Sequence, residues 1–189
     1  RIVLASGRPT YGVAPLAEEL ELKKYHGYML SFNGALITDC GTGELIFQQW
    51  LPEGVPQQMA GLAETYHTAL LTYQGDEILT ETPDNPYVLK EVICTKMKVR
   101  KLQDFRKEVT FPVVKCMLMD NGVYLADVEE KVREYFHGEL SVLRSEPYFL
   151  EVMSGGIDKA SSLERLLEIL GKDRSSMMAF GDGFNDRSM

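Results

Sequence analysis

Along this chain, short unbroken apolar runs alternate with helical stripes, and the alternation changes character twice. Residues 2–5 are apolar throughout, the pattern of a parallel strand buried on both faces. A helix is expected next, starting at Pro9 or Pro15, where Pro is tolerated, and ending near Lys24. Leu16, Ala17 and Leu20 give it an apolar stripe. Residues 28–32 read as a second strand, closed by Asn33-Gly34. Residues 35–38 and 44–50 then flank Asp39-Cys40-Gly41-Thr42-Gly43 as a hairpin. Here strand–helix gives way to hairpins, and a domain boundary is expected after residue 38.

The middle of the chain reads as α+β. A helix fits 52–67, with Met59, Leu62, Ala63 and Tyr66 on one face, and a hairpin pairs 69–73 with 77–80 around Gln74-Gly75-Asp76. Helices are expected near 86–94, 101–107 and 126–136, and strands over 112–119, 140–143 and 148–153. The expected division is a core at 1–38 and 151–189 with an inserted domain at 39–150. In the last piece Leu163, Leu166, Leu167 and Leu170 share one helical face, Ser161 and Glu164 match a capping box, and Gly171 suits C′. That puts Asp158-Lys159 at the helix start, where a Lys opposes the dipole. It is either a solvated charge or a cation aimed at an anion that the helix end also attracts. Residues 177–180 form a final apolar run, expected to be a buried strand, ending in Gly181-Asp182-Gly183.

Composition narrows the functions. The chain has 189 residues, 44% hydrophobic and 25% charged, with 20 Lys and Arg against 28 Asp and Glu for a net charge of -8. Neither nucleic acid nor a membrane is an expected partner of such a surface. Cys40, Cys94 and Cys116 lie far apart with no CxxC spacing and read as buried free thiols in a reducing compartment, the cytoplasm. No apolar run approaches the roughly 18–20 residues of a membrane span. GxGxxG, Walker A, GxSxG and HExxH patterns are all absent.

Three strand ends carry polar groups: Ser6-Gly7, Asn33-Gly34, and Asp182 with Asn185 and Asp186. In a parallel sheet such ends converge on one edge, where ligands bind. Asp182 and Asp186 offer the hard oxygens that Mg²⁺ prefers, although the same residues are ordinary turn chemistry. A hydroxyl, backbone amides, Lys159 and a metal-binding carboxylate suit a phosphoryl group, whose transfer is mostly positioning and charge neutralisation.

Ser6-Gly7-Arg8-Pro9, Asn33-Gly34-Ala35, Gly156-Ile157-Asp158-Lys159 and Gly181-Asp182-Gly183-Phe184-Asn185-Asp186 together resemble the haloacid dehalogenase superfamily, and more narrowly its Cof-type phosphatases of subclass IIB. The resemblance implies an α/β fold, a Rossmann-like parallel-sheet core with an inserted α+β cap that chooses the substrate. It implies Mg²⁺-dependent hydrolysis of small phosphomonoesters, sugar phosphates or phosphorylated cofactors, through an aspartyl-phosphate. By position, Ser6 and the Gly7 amide would bind phosphoryl oxygens, and Lys159 would balance charge. Asp182 would bind the metal, Asn185 would hydrogen-bond the phosphate, and Asp186 would orient Lys159 or a metal-bound water. Asn33 would line the site near the hinge, and Arg8 would fix the loop. A monomer or weak homo-oligomer is expected.

The chain also departs from that pattern. The family's Asp-x-Asp-Gly-Thr motif, which supplies the nucleophile, occurs nowhere in the sequence. Residues 2–5 begin without a cap or polar lead-in, so a preceding strand is expected to belong beside them, and a following segment after Met189. The stretch given is accordingly expected to be inactive by itself. Arg187 stands where an apolar residue is usual, and Ser154-Gly155 replaces a commoner Pro-containing pair. The competing reading is a non-catalytic phosphate-sensing or protein-binding module, and a phosphomutase or transferase would use the same core.

Overall fold

Two hydrogen-bonded sheets organise residues 1–181, 186, 188 and 189, which are the residues described in this computed structural model. The order begins β1 (Val3–Ala5), α1 (Thr10–Glu19), β2 (Tyr28–Ser31), β3 (Leu36–Asp39) and β4 (Leu45–Gln48). It continues α2 (Val55–Thr65), β5 (Ala69–Gln74), β6 (Glu77–Thr80), α3 (Pro86–Thr95), β7 (Lys98–Lys101) and α4 (Phe105–Glu108). It ends β8 (Lys115–Met119), α5 (Gly122–Tyr135), β9 (Leu140–Glu146), β10 (Phe149–Ser154) and α6 (Lys159–Ile169), with short 3-10 turns at Phe32–Gly34 and Arg174–Ser176. The chain divides into two compact units, Arg1–Gln49 with Gly156–Met189, and Trp50–Gly155.

In the first unit β1 runs parallel to β2, and β3 and β4 follow antiparallel. Side chains alternate across a strand, and here both faces are covered. Leu4 and Met29 pack on Val13, Ala17 and Leu22 from α1 and the turn after it. Val3, Ala5, Tyr28 and Leu30 pack on Leu163 and Leu166 of α6. The run at 3–5 is apolar on both faces because each face packs against a helix, while Ile2 before it is exposed. Pro15 lies inside α1, not at its start, and Pro9 precedes its first residue. The β3–β4 hairpin extends this sheet, so the units divide between Gln49 and Trp50 and between Gly155 and Gly156, where the sequence had placed boundaries after 38 and 150.

One expected element is not formed. Residues 177–180 pair with no strand among the described residues, and Met178 and Phe180 are 79% and 85% exposed. Met177 has extended backbone angles, φ -115° and ψ 143°. An apolar run supplies strand propensity, but a strand exists only where a neighbouring backbone satisfies its N–H and C=O groups.

The second unit is a six-stranded sheet in the order β7-β6-β5-β8-β10-β9, antiparallel except for β6–β7. Its main core sets Leu70, Cys116, Leu118, Leu150 and Val152 against Met59 of α2, Phe105 of α4 and Val128 of α5. α5 starts at Gly122, ahead of the expected residue 126, because the Asn121 side chain accepts the Val123 amide as an N-cap. No helix among the described residues is long and apolar enough to cross a membrane.

Candidate active site

The candidate site starts at the carboxyl end of β1, where two loops are stitched together. The Ser6 amide donates to the Leu30 carbonyl at 2.9 Å, continuing the β1–β2 pairing by one residue. The Asn33 amide then donates to the Ser6 carbonyl, and the Phe32 amide to the Arg8 carbonyl, each at 2.9 Å. The Arg8 amide donates to Ser6 Oγ at 3.1 Å, which tightens the turn leaving the strand. Gly7 is glycine because the loops are this close: a Cβ there would lie 2.9 Å from Asn33 Oδ1. Asn33 is buried.

Lys159 comes from the other half of the unit. Asp158 caps α6 by accepting the Ser161 amide at 2.8 Å, and Ser161 Oγ accepts the Asp158 amide at 3.2 Å. The capping box is therefore Asp158 with Ser161, not Ser161 with Glu164; the helix begins three residues earlier, which makes Lys159 its first residue. Lys159 is 7% exposed. Its Nζ donates to Asp186 Oδ1 at 2.5 Å, so the cation is neither solvated nor left without a counter-charge.

Ser6, Arg8, Lys159 and Asp186 line one groove of about 1230 Å³ that runs along β1 and continues over apolar side chains such as Leu163 and Met177. Four of the eight residues singled out in the sequence thus share a surface, while Gly7 and Asn33 adjoin Ser6. Arg8 is exposed. Asp182 and Asn185, and Arg187 with them, lie outside the described residues. The donors present are hard oxygens, the kind Mg²⁺ takes, and Asp186 is the described carboxylate among them. Among the described residues no group of three or more His, Cys, Asp or Glu side chains is placed to hold a metal.

Two nearby hydroxyls had no signal in the sequence. Thr10 Oγ1 and Ser31 Oγ share a hydrogen bond at 2.7 Å, which ties the start of α1 to the end of β2. Their separation along the chain, 21 positions, matches no local motif. The cysteines need one correction: Cys116 is buried, Cys40 is half-buried and Cys94 is exposed. Cys94 falls on the outer side of α3, which the apolar context of its neighbours did not reveal.

Residues 1–189 match the family described as haloacid dehalogenase-like hydrolase. A haloacid dehalogenase-like hydrolase from Bacteroides thetaiotaomicron superposes with a TM-score of 0.94 at 45% identity, over 99% of this chain and 70% of its own. A protein of Streptococcus pyogenes serotype M6 with a provisional phosphatase name is 28% identical over 100% of this chain and 70% of its own length. A HAD subclass IIB sugar phosphatase shares the fold, with a TM-score of 0.77 at 20% identity, over 98% of this chain and 68% of its own.

Proposed function

We propose that this chain, which belongs to the haloacid dehalogenase-like hydrolases, serves an Mg²⁺-dependent phosphatase of small phosphorylated metabolites, sugar phosphates or phosphorylated cofactors. The observation that carries the reading is the buried Lys159–Asp186 pair in the same groove as the Ser6 loop. A buried ammonium lining the same groove as a hydroxyl suits the charge and the hydrogen-bonding needs of a phosphoryl group. The provisional phosphatase name of the streptococcal relative points the same way.

In this reading Ser6 and the Gly7 amide hold the phosphoryl oxygens, and Lys159 neutralises charge as it builds on them. Asp186 keeps the Lys159 side chain directed. Asn185 adds a hydrogen bond to the phosphate, Asn33 supports the loop, and Arg8 fixes its outer turn. Asp182 would hold Mg²⁺, whose contribution when bound is further neutralisation of the phosphoryl oxygens. In this reading the nucleophile is the aspartate of the family's Asp-x-Asp-Gly-Thr motif, which is not among the residues given. Its carboxylate oxygen attacks phosphorus, the bond to the leaving oxygen breaks, and that oxygen takes up a proton from water as the alcohol departs. Water then attacks the phosphorus of the aspartyl-phosphate, the acyl oxygen–phosphorus bond breaks, and inorganic phosphate and the free carboxylate result, the water's proton passing to solvent. The inserted unit, Trp50–Gly155, would select the leaving group.

The test is phosphate release by the full-length polypeptide with Mg²⁺ present. Lys159→Ala and Asp182→Ala should each lower kcat by about a hundredfold or more, the scale for losing one pre-organised charge-stabilising group. Chelation with EDTA should stop turnover, and added Mg²⁺ should restore it. Normal turnover in either variant would sink the site. Phosphate-dependent stabilisation with no turnover in the parent would favour the non-catalytic module instead.

A further inference from the structure

Between the Ser6 loop and α6 lies a turn of unusual backbone. Phe32, Asn33 and Gly34 have φ of 52°, 56° and 94°, three successive residues in the left-handed region, two of them not glycine. Such a conformation costs on the order of 1 kcal/mol for each non-glycine residue and persists only where its surroundings impose it. One side of the turn is held by the amides of Phe32 and Asn33 on the carbonyls of Arg8 and Ser6. The other side packs on α6. A Cβ on Gly34 would overlap Ser162 Cβ and Oγ, with the Asp158 carbonyl 3.6 Å away. Ser162 is 2% exposed, so its side chain has no open space to move into.

We propose that Gly34 is a positioning residue: the turn it closes is a spacer that sets the Ser6–Gly7 loop at a fixed distance from the Lys159 ammonium. The inference rests on the phosphatase reading and adds the element that aligns its two halves. Lys159 and Ser162 are one helical turn apart at the start of α6, so whatever seats Ser162 also seats Lys159. The loop and the helix come from opposite ends of the sequence, and hydrogen bonds hold the turn to the loop while close packing holds it to the helix. A side chain at Gly34 would have to drive the two apart by roughly 1 Å. A displacement of that size in a positioning contact costs on the order of a hundredfold in rate.

The experiment uses the full-length polypeptide and p-nitrophenyl phosphate, with circular dichroism to establish folding. Folded Gly34→Ala should lose on the order of tenfold to a hundredfold in kcat/KM. Adding Ser162→Gly, which vacates the overlapped space, should recover most of that loss. If glycine were needed for its backbone angle alone, the second change would recover nothing, since the strain would remain. Should Gly34→Ala fail to fold, Ser162→Val crowds the same gap from the helix side without left-handed strain, and the same loss is expected. A folded variant with parental kcat/KM, or a double variant with no recovery, overturns the spacer alone. A parent without turnover overturns the phosphatase reading and the spacer with it.

Discussion

Lys115 and Glu151 form an ion pair at 2.9 Å inside the second unit, with side chains 2% and 5% exposed. Among the described residues, Glu151 Oε2 has no hydrogen-bond partner. The Lys115 ammonium also lies 5.4 Å over the ring of Tyr73, whose hydroxyl donates to Glu91 Oε1 at 2.8 Å. Burial pushes the Tyr73 phenol well above its usual range, and Glu91 and Glu151 push it further, so it stays protonated and donating. Removing one partner of such a pair costs far more than replacing both. Glu151→Ala should lower the unfolding free energy by about 3–5 kcal/mol in urea, and Lys115→Met with Glu151→Leu should recover most of it. Cys116 shows the same desolvation: burial pushes its thiol from 9.0 up to about 12, against a smaller opposing hydrogen bond with Thr72. Ellman's reagent should label exposed Cys94 in the native protein and Cys116 only after unfolding. Because the unfolded thiol ionises first, this group's contribution to stability is intact below 9.0 and falls as pH rises toward about 12.

At the scale of elements, α6 owes its start to Asp158. Its carboxylate and the Ser161 hydroxyl each accept an amide that a bare helix end would leave unsatisfied. Asp158→Ala should cost about 1 kcal/mol in thermal unfolding. It should also lower kcat/KM in the full-length protein, since the next residue is Lys159. The outermost strand β7 has the opposite history. Lys98, Val99, Arg100 and Lys101 gave no alternation to read, because its face and edge are largely solvated. Its pairing is supplied by β6, and its charges blunt the sheet edge.

Taken as a whole, the molecule is two units with separate cores. In the second, the Leu51 amide donates to the Val113 carbonyl at 2.8 Å, and Lys115 pairs with Met153. The chain therefore enters and leaves that unit at one end of its sheet, the arrangement that lets a domain be inserted at low cost. Residues 50–155 produced alone should unfold in one cooperative urea transition; a gradual, non-cooperative loss of ellipticity would mean that the core is not self-sufficient.

The periodicity and the motif order determined much by themselves. Residues 3–5 and 28–30 are apolar on both faces because α1 and α6 pack on the two sides, and that much is legible in a single strand. The ordered motifs around Ser6, Asn33, Lys159 and Asp182–Asp186 pointed to one family before any geometry, because their order along the chain is more specific than any one of them. What the sequence could not hold was distance. The Lys159–Asp186 pair spans 27 positions, and Thr10 with Ser31 spans 21, so no local rule connects them. The contact between Gly34 and Ser162 is longer-ranged still, and a glycine after asparagine reads as a plain turn until a helix is packed against it. Residues 177–180 make the complementary point. Their side chains favour a strand, but a strand is a relation between two backbones, and only tertiary structure decides whether the second is there.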